Sequence, residues 1–115
     1  MLTKKRIEEA AEQMDMMVEF YTQPGDCGEE EKYVEFEFCS PAGEDVIWTE
    51  FYDKLDDIPD KLTERYHDFD PEDHAAEWYH AGRGEPSSLA VLLDDAYAQQ
   101  DSLAMLIRFL WSAAV

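Results

Sequence analysis

The sequence predicts an α+β domain, a three-stranded antiparallel meander covered by about four helices. Two observations carry that prediction. Apolar and polar residues alternate at period two in stretches between Met16 and Phe51, and apolar residues recur every three or four positions on either side of that region. Strands followed by helices, joined by short turns, give segregated layers rather than a parallel βαβ sheet. A length of 115 residues allows one domain, residues 1–115. With 45% hydrophobic and 13% aromatic residues, it has the core material that a disordered acidic segment lacks.

Each element has its own signal. Thr3 is placed to cap a helix over Lys4–Met14 with Ile7, Ala10, Ala11 and Met14 on its apolar face. Met16–Thr22, rich in apolar and aromatic residues, reads as the first strand and is ended by Pro24-Gly25-Asp26. Lys32–Cys39 is the clearest strand: Val34, Phe36 and Phe38 face one way, Tyr33, Glu35, Glu37 and Cys39 the other. Ser40-Pro41-Ala42-Gly43 turns the chain into a third strand, Glu44–Phe51, where Val46 and Trp48 alternate with Ile47 and Thr49. Leu55, Ile58, Leu62 and Phe69 give an apolar face to a helix over Asp57–Asp68, with Pro59 in its first turn. Asp70-Pro71-Glu72-Asp73 combines an N-cap, Pro at the first helical position and an acid at the third; that helix runs to about Ala81 and stops at Gly82-Arg83-Gly84.

Pro86-Ser87-Ser88 starts the last helix, whose stripe is Leu89, Leu92, Leu93, Ala96, Leu103, Leu106, Ile107 and Leu110. Unbroken from Ser88 to Ala113, it would be about 39 Å long. A compact domain near this size is roughly 27 Å across. A break near Gln99-Gln100-Asp101-Ser102 is therefore expected, with a projecting end that forms a homodimer through Leu103, Leu106, Ile107 and Leu110 as the alternative.

Charge is the strongest compositional signal. The chain has 28 acidic and 9 basic residues, a net charge of −19. Residues 26–77 alone hold 19 acids against 4 bases. That balance argues against nucleic-acid binding and against anionic membranes, which both require Lys and Arg. Glu35 and Glu37, alternating along one strand, stand roughly 6–7 Å apart, and Asp53, Asp56, Asp57, Asp60 and Glu64 follow at helical spacing. One reading is a solvated face that keeps a small protein dispersed. Another is an ordered carboxylate surface that imitates a nucleic-acid backbone and occupies a basic groove. A third is adaptation to high salt, to which five lysines in 115 residues conform.

Catalytic and metal motifs fail on spacing. A calcium loop begun at Asp68 would need Gly at its sixth position and Glu at its twelfth, where Asp73 and Tyr79 stand. Glu77-Trp78-Tyr79-His80 matches one Glu-x-x-His of a di-iron bundle, but there is no second copy. His74 and His80 are six apart and do not share a helical face. Ser87 and Ser88 have no nucleophile elbow, and Gly82-Arg83-Gly84-Glu85 lacks the length and the Lys of a phosphate loop. No catalytic role, metal or cofactor is expected. Cys27 and Cys39 fit neither CxxC nor zinc spacing and read as reduced thiols, a disulfide between them being the alternative. No apolar run follows Lys4-Lys5-Arg6, and Leu103–Val115 is shorter than the roughly 20 residues of a membrane span, so a cytoplasmic location is expected.

Between Phe69 and about Leu106 the chain carries Phe69-Asp70-Pro71-Glu72-Asp73-His74, Trp78, Gly84-Glu85-Pro86-Ser87-Ser88, Leu92-Leu93-Asp94-Asp95-Ala96 and Leu103. This stretch resembles small acidic accessory proteins of prophages and conjugative elements in gut Firmicutes. The similarity covers about the last third and consists of capping and packing signals, so it implies a mobile-element origin and carries no chemistry. By overall character the chain also resembles acidic antirestriction and anti-CRISPR DNA mimics, which implies a restriction or CRISPR effector as partner. The expected function is a non-enzymatic acidic inhibitor that binds a basic site on a nucleic-acid-handling protein. The expected contact residues are Glu29, Glu30, Glu31, Glu35, Glu37, Glu44, Asp45, Glu50, Asp53, Asp56, Asp57 and Asp60. The alternative is an interaction module or homodimer that uses the C-terminal helix.

Overall fold

Period-two and period-3.6 segments resolve into α1 (Lys4–Glu12), β1 (Met17–Pro24), β2 (Glu30–Cys39), β3 (Asp45–Tyr52), α2 (Ile58–Asp68), α3 (Pro71–Ala81) and α4 (Leu89–Ala114), with a 3₁₀ turn at Leu55–Asp57 before α2. This computed structural model describes residues 1–39, 45–81 and 88–114. The expected turn at Ser40–Gly43, the strand start at Glu44, the helix stop at Gly82–Gly84 and Pro86-Ser87 lie outside the described residues.

Local chemistry sets the boundaries. The Thr3 hydroxyl accepts from the Arg6 amide at 3.2 Å and caps α1. α1 ends short of Met14 because Asp15 takes φ 55°. Its amide bonds to the Glu12 carbonyl at 3.0 Å and the Met16 amide to the Ala11 carbonyl at 2.9 Å. These are the paired bonds of a Schellman closure, built on a left-handed residue that Asp tolerates better than most, and they feed the chain directly into β1. At the next reversal Gly28 adopts φ 81°, a conformation natural to glycine. The Asp70 carboxylate accepts from the Glu72 and Asp73 amides at 3.0 and 3.3 Å, so α3 starts where its capping signal places it. The Ser88 hydroxyl does the same for α4, accepting from Val91 at 3.3 Å.

The sheet is an antiparallel meander in the order β1-β2-β3. Its register pairs Met17 with Glu37 through Pro24 with Glu30, and Lys32 with Tyr52 through Cys39 with Asp45. Cys27 sits in the β1–β2 turn and Cys39 at the opposite end of β2, both exposed. About 30 Å of strand separates them, against the roughly 7 Å between Cα atoms that a disulfide tolerates, so the intramolecular disulfide is excluded.

One face of the sheet is the floor of the core. Val34, Phe36, Phe38, Val46, Trp48 and Tyr52 are buried against Ile7, Ala10 and Ala11 of α1, Ile58 and Leu62 of α2, and Leu103, Leu106 and Leu110 of α4. A second, smaller cluster joins Ala75 and Trp78 of α3 to Leu92 and Ala96 of α4.

The expected break in the last helix is wrong. α4 is continuous over 26 residues, and its end does not project. The two clusters lie along it in series, and the molecule extends to 43 Å along its longest axis, with a radius of gyration of 15.3 Å. A compact chain of this length would have about 13 Å. The polar stretch that suggested a break is sealed from within: the Gln99 amide donates to the Asp95 carboxylate one turn earlier at 2.7 Å, and both side chains are buried. Leu103, Leu106 and Leu110 are fully buried in the chain's own core, and Ile107, partly buried, packs against the same cluster. The last carbonyls of α4 meet cations: Arg6 donates to Ala113 at 2.8 Å and the Met1 ammonium to Ala114 at 2.7 Å, which complements the negative end of the helix. Among the described residues no helix is long and apolar enough to cross a membrane.

Candidate functional site

The helices cover one side of the sheet and leave the other open. Strand pairing arranges the open side in rows. Met17, Glu37 and Ile47 stand opposite one another, then Glu19, Glu35 and Thr49, then Tyr21, Tyr33 and Phe51, with Gln23 and Glu31 beyond. Met17, Ile47 and Phe51 are 69%, 50% and 47% exposed, a large apolar fraction for solvent-facing strand positions. The ring centroids of Tyr21 and Tyr33 are 5.3 Å apart with their planes 14° from parallel, and Phe51 meets Tyr33 edge-on at 5.7 Å.

No Lys or Arg occupies these rows. Glu19 and Glu35 are direct cross-strand partners, an arrangement of like charges that destabilises a sheet. The Thr49 hydroxyl donates to Glu35 at 3.5 Å. A depression of about 200 Å³ lies between the strands here, lined by Met17, Val18, Glu19, Glu35 and Glu37. The Tyr33 hydroxyl donates a hydrogen bond to the Glu31 carboxylate at 2.7 Å. Ionising that phenol would break the bond and set two negative charges together, so Tyr33 is held above its ordinary pKa of 10.0, with desolvation adding to the rise.

At the hairpin end a second hollow of about 300 Å³ gathers Asp26, Glu29, Glu30, Glu31 and Asp53 around Cys27, Lys32, Phe51 and Tyr52. The Lys32 ammonium donates to the Asp53 carbonyl at 3.3 Å.

The remaining acids expected to contact a partner are placed otherwise. Glu50 faces the helices and pairs with Arg65 at 2.7 Å, whose guanidinium also donates to the Thr49 carbonyl at 2.9 Å. Asp56 accepts from the Leu2 amide at 2.6 Å and ties down the N-terminal segment. Asp57 accepts from the Lys54 amide at 3.2 Å and closes the turn before α2. Asp60 is exposed in the first turn of α2, where a helix favours an acid. Asp45 opens β3 opposite Cys39, and Glu44 lies outside the described residues. The structure thus gathers Glu31, Glu35 and Glu37 on one face, with Glu29, Glu30 and Asp53 at its end, and assigns Asp56 and Asp57 to local structure. Glu19, Met17, Tyr21 and Phe51 were not among the expected residues. Strand parity and the hairpin register would have brought them in.

Elsewhere, a cavity of about 460 Å³ opens between β3, α2 and α4, lined by Trp48, Glu50, Lys61, Glu64, Arg65, Asp68, Phe69, Gln99 and Leu103. Its charges are of both signs, and its Arg65 is already engaged by Glu50. His74 packs 5.4 Å from the Phe69 ring and 6.3 Å from Trp78, with Nε2 3.4 Å from the Gln99 amide. Among the described residues no three His, Cys, Asp or Glu side chains come together as a metal site. No family model matches the chain, and no curated protein or solved structure is significantly similar to it.

Proposed function

We propose that this protein is a non-enzymatic acidic inhibitor that occupies a basic site on a nucleic-acid-handling protein, such as a restriction or CRISPR effector, with the open face of its sheet. The observation that carries this reading is the outward side of β2: Glu31, Glu35 and Glu37 on a rigid strand, joined across the hairpin by Glu19, with no cation in the same rows. Glu31 to Glu37 spans about 20 Å of strand. Charges fixed at that spacing attract a groove built for phosphates, and they do so without the conformational loss a flexible acidic tail incurs on binding.

The test uses candidate effectors and the whole protein. Binding should weaken steeply with salt, should be competed by duplex DNA or guide RNA, and should fall by at least about tenfold in the triple variant Glu19→Gln, Glu35→Gln, Glu37→Gln. Asp56 and Asp57 are left intact because they hold backbone amides. Binding that ignores both the nucleic-acid competitor and the triple substitution overturns the proposal.

A further inference from the structure

We infer that the cavity between β3, α2 and α4 is a binding site for a small, uncharged aminoheterocycle of the nucleobase type, held between Trp48 and Gln99. The inference is independent of the open acidic face, which lies on the other side of the sheet.

The cavity's volume of about 460 Å³ is that of a small-molecule pocket, for which about 300–1,000 Å³ is usual. It opens at the seam of the two core clusters, where packing is interrupted: Trp48 belongs to the larger, and Phe69 packs against the smaller. Two nearly buried polar side chains line it, Trp48 at 6% and Gln99 at 3% exposure. The Gln99 amide nitrogen has two hydrogens and two neighbours, the Asp95 carboxylate at 2.7 Å and His74 Nε2 at 3.4 Å. Its carbonyl oxygen takes part in neither contact and accepts from nothing among the described residues. The indole N–H of Trp48, whose ring packs on Phe38, donates to nothing among them. No fully buried side-chain nitrogen or oxygen is left unpaired among the described residues. Both atoms therefore reach open space, and the cavity is the open space that both residues line.

An acceptor and a donor beside two aromatic walls, Trp48 and Phe69, specify a flat ligand that carries an N–H and a lone pair. Charge narrows the class. Glu50 and Arg65 neutralise each other at 2.7 Å, which leaves the Lys61 ammonium against the Glu64 and Asp68 carboxylates. That excess resists phosphates and weakly acidic lactams, and it favours a neutral ring of weakly basic character. Amino-substituted pyrimidines and purines have this character: the exocyclic amine donates to Gln99 Oε1, and a ring nitrogen accepts from the Trp48 indole.

The experiment titrates 1-methylcytosine and 9-methyladenine into the intact, isotope-labelled protein. It follows the three indole N–H signals by NMR, that of Trp48 being assigned by its loss in Trp48→Phe. For ligands of about ten heavy atoms a dissociation constant between roughly 10 μM and 1 mM is expected, with the Trp48 signal shifting as the site fills. Dimethylation of the exocyclic amine removes the donor and should weaken binding at least about tenfold. 1-Methyluracil and AMP should each bind at least about fivefold more weakly than the matching amino base. The double variant Glu64→Gln, Asp68→Asn should narrow the gap for AMP; both side chains are exposed, so the fold is not at stake. These ligand comparisons keep the wild-type protein throughout, so they decide the matter even where a cavity variant fails to fold. An unmoved Trp48 signal at millimolar probe, dimethylated analogues that bind as well as their parents, or AMP binding more tightly than 9-methyladenine overturns the inference. So do shifts confined to Tyr21, Tyr33 and Phe51, which would place the bases on the open sheet face instead.

Discussion

Glu50→Gln separates a carboxylate that holds the fold from one that meets a partner. Glu50 and Arg65 form a 2.7 Å contact in which the glutamate side chain is 14% exposed and the arginine 38%. Exposed ion pairs contribute about 0.2–1 kcal/mol, and removing one member of a buried pair costs about 3–5 kcal/mol. This pair lies between those limits. The solvated arginine end lowers the loss, and so does its remaining bond to the Thr49 carbonyl at 2.9 Å. A destabilisation of about 1–2 kcal/mol is expected, which for a domain of this size lowers Tm by about 4–10 °C. Circular dichroism melts of Glu50→Gln, Arg65→Ala and the double variant measure it, and the double-mutant cycle should return a coupling near 1 kcal/mol. The affinity of Glu50→Gln for a basic partner should equal that of the wild type. A variant with unchanged Tm, no coupling to Arg65 and lost binding would show that Glu50 faces the partner, and that its placement against α2 is not what matters.

Other outcomes follow from the same geometry. Glu19→Lys replaces a like-charge cross-strand pair with an opposite one and should raise stability by about 0.5–1 kcal/mol in urea melts while it weakens a basic partner. An unchanged or lower midpoint would mean that Glu19 and Glu35 do not repel. In a titration followed at 295 nm, Tyr33 should ionise above 10.0, and Glu31→Gln should bring it down. Because the folded value is raised, this contribution to stability is present below the ordinary phenol pKa and is lost as pH climbs through the raised one. Leu106→Ala should cost about 2–5 kcal/mol of global stability. Leu92→Ala, in the smaller cluster, should instead speed hydrogen exchange in α3 well before it affects β2; uniform acceleration across both would refute a two-part core. Finally, moderate salt should raise Tm by a few degrees by screening the −19 charge.

Most of the fold was legible because its signals are local. Alternation in β2, the Asp70-Pro71 start of α3 and the Thr3 cap of α1 each decide their own few residues. The Schellman closure at Asp15 was not legible, since a left-handed aspartate has no fixed sequence signature and the apolar pattern of α1 runs on through Met14. The continuity of α4 was missed for a different reason. A near-spherical domain of this length has no room for an unbroken helix, whereas the chain distributes two clusters along one helix, and Asp95 with Gln99 turns an interruption of polarity into an internal bond. At the candidate site, the outward direction of Glu35 and Glu37 followed from parity alone. Glu50 has the wrong parity for that face, and charge counting concealed this. The company of Glu19 and Tyr21 depends on the hairpin register, which the five residues between β1 and β2 set through backbone bonds such as Gly25 to the Glu29 carbonyl.

The position of Leu103, Leu106 and Leu110 has a kinetic consequence. The meander is local in sequence, but the α4 part of its cover, Leu103, Leu106 and Leu110, is made fifty or more positions after β3 ends. During synthesis, which adds about 5–20 residues per second, Val34, Phe36 and Trp48 are made seconds before their α4 partners exist. For that interval the part of the apolar sheet face that α4 covers is open to neighbours, a state in which strands aggregate readily. Nineteen carboxylates between residues 26 and 77 lie on that same exposed stretch. Their mutual repulsion, a burden in the finished fold, keeps unfinished copies apart until α4 arrives.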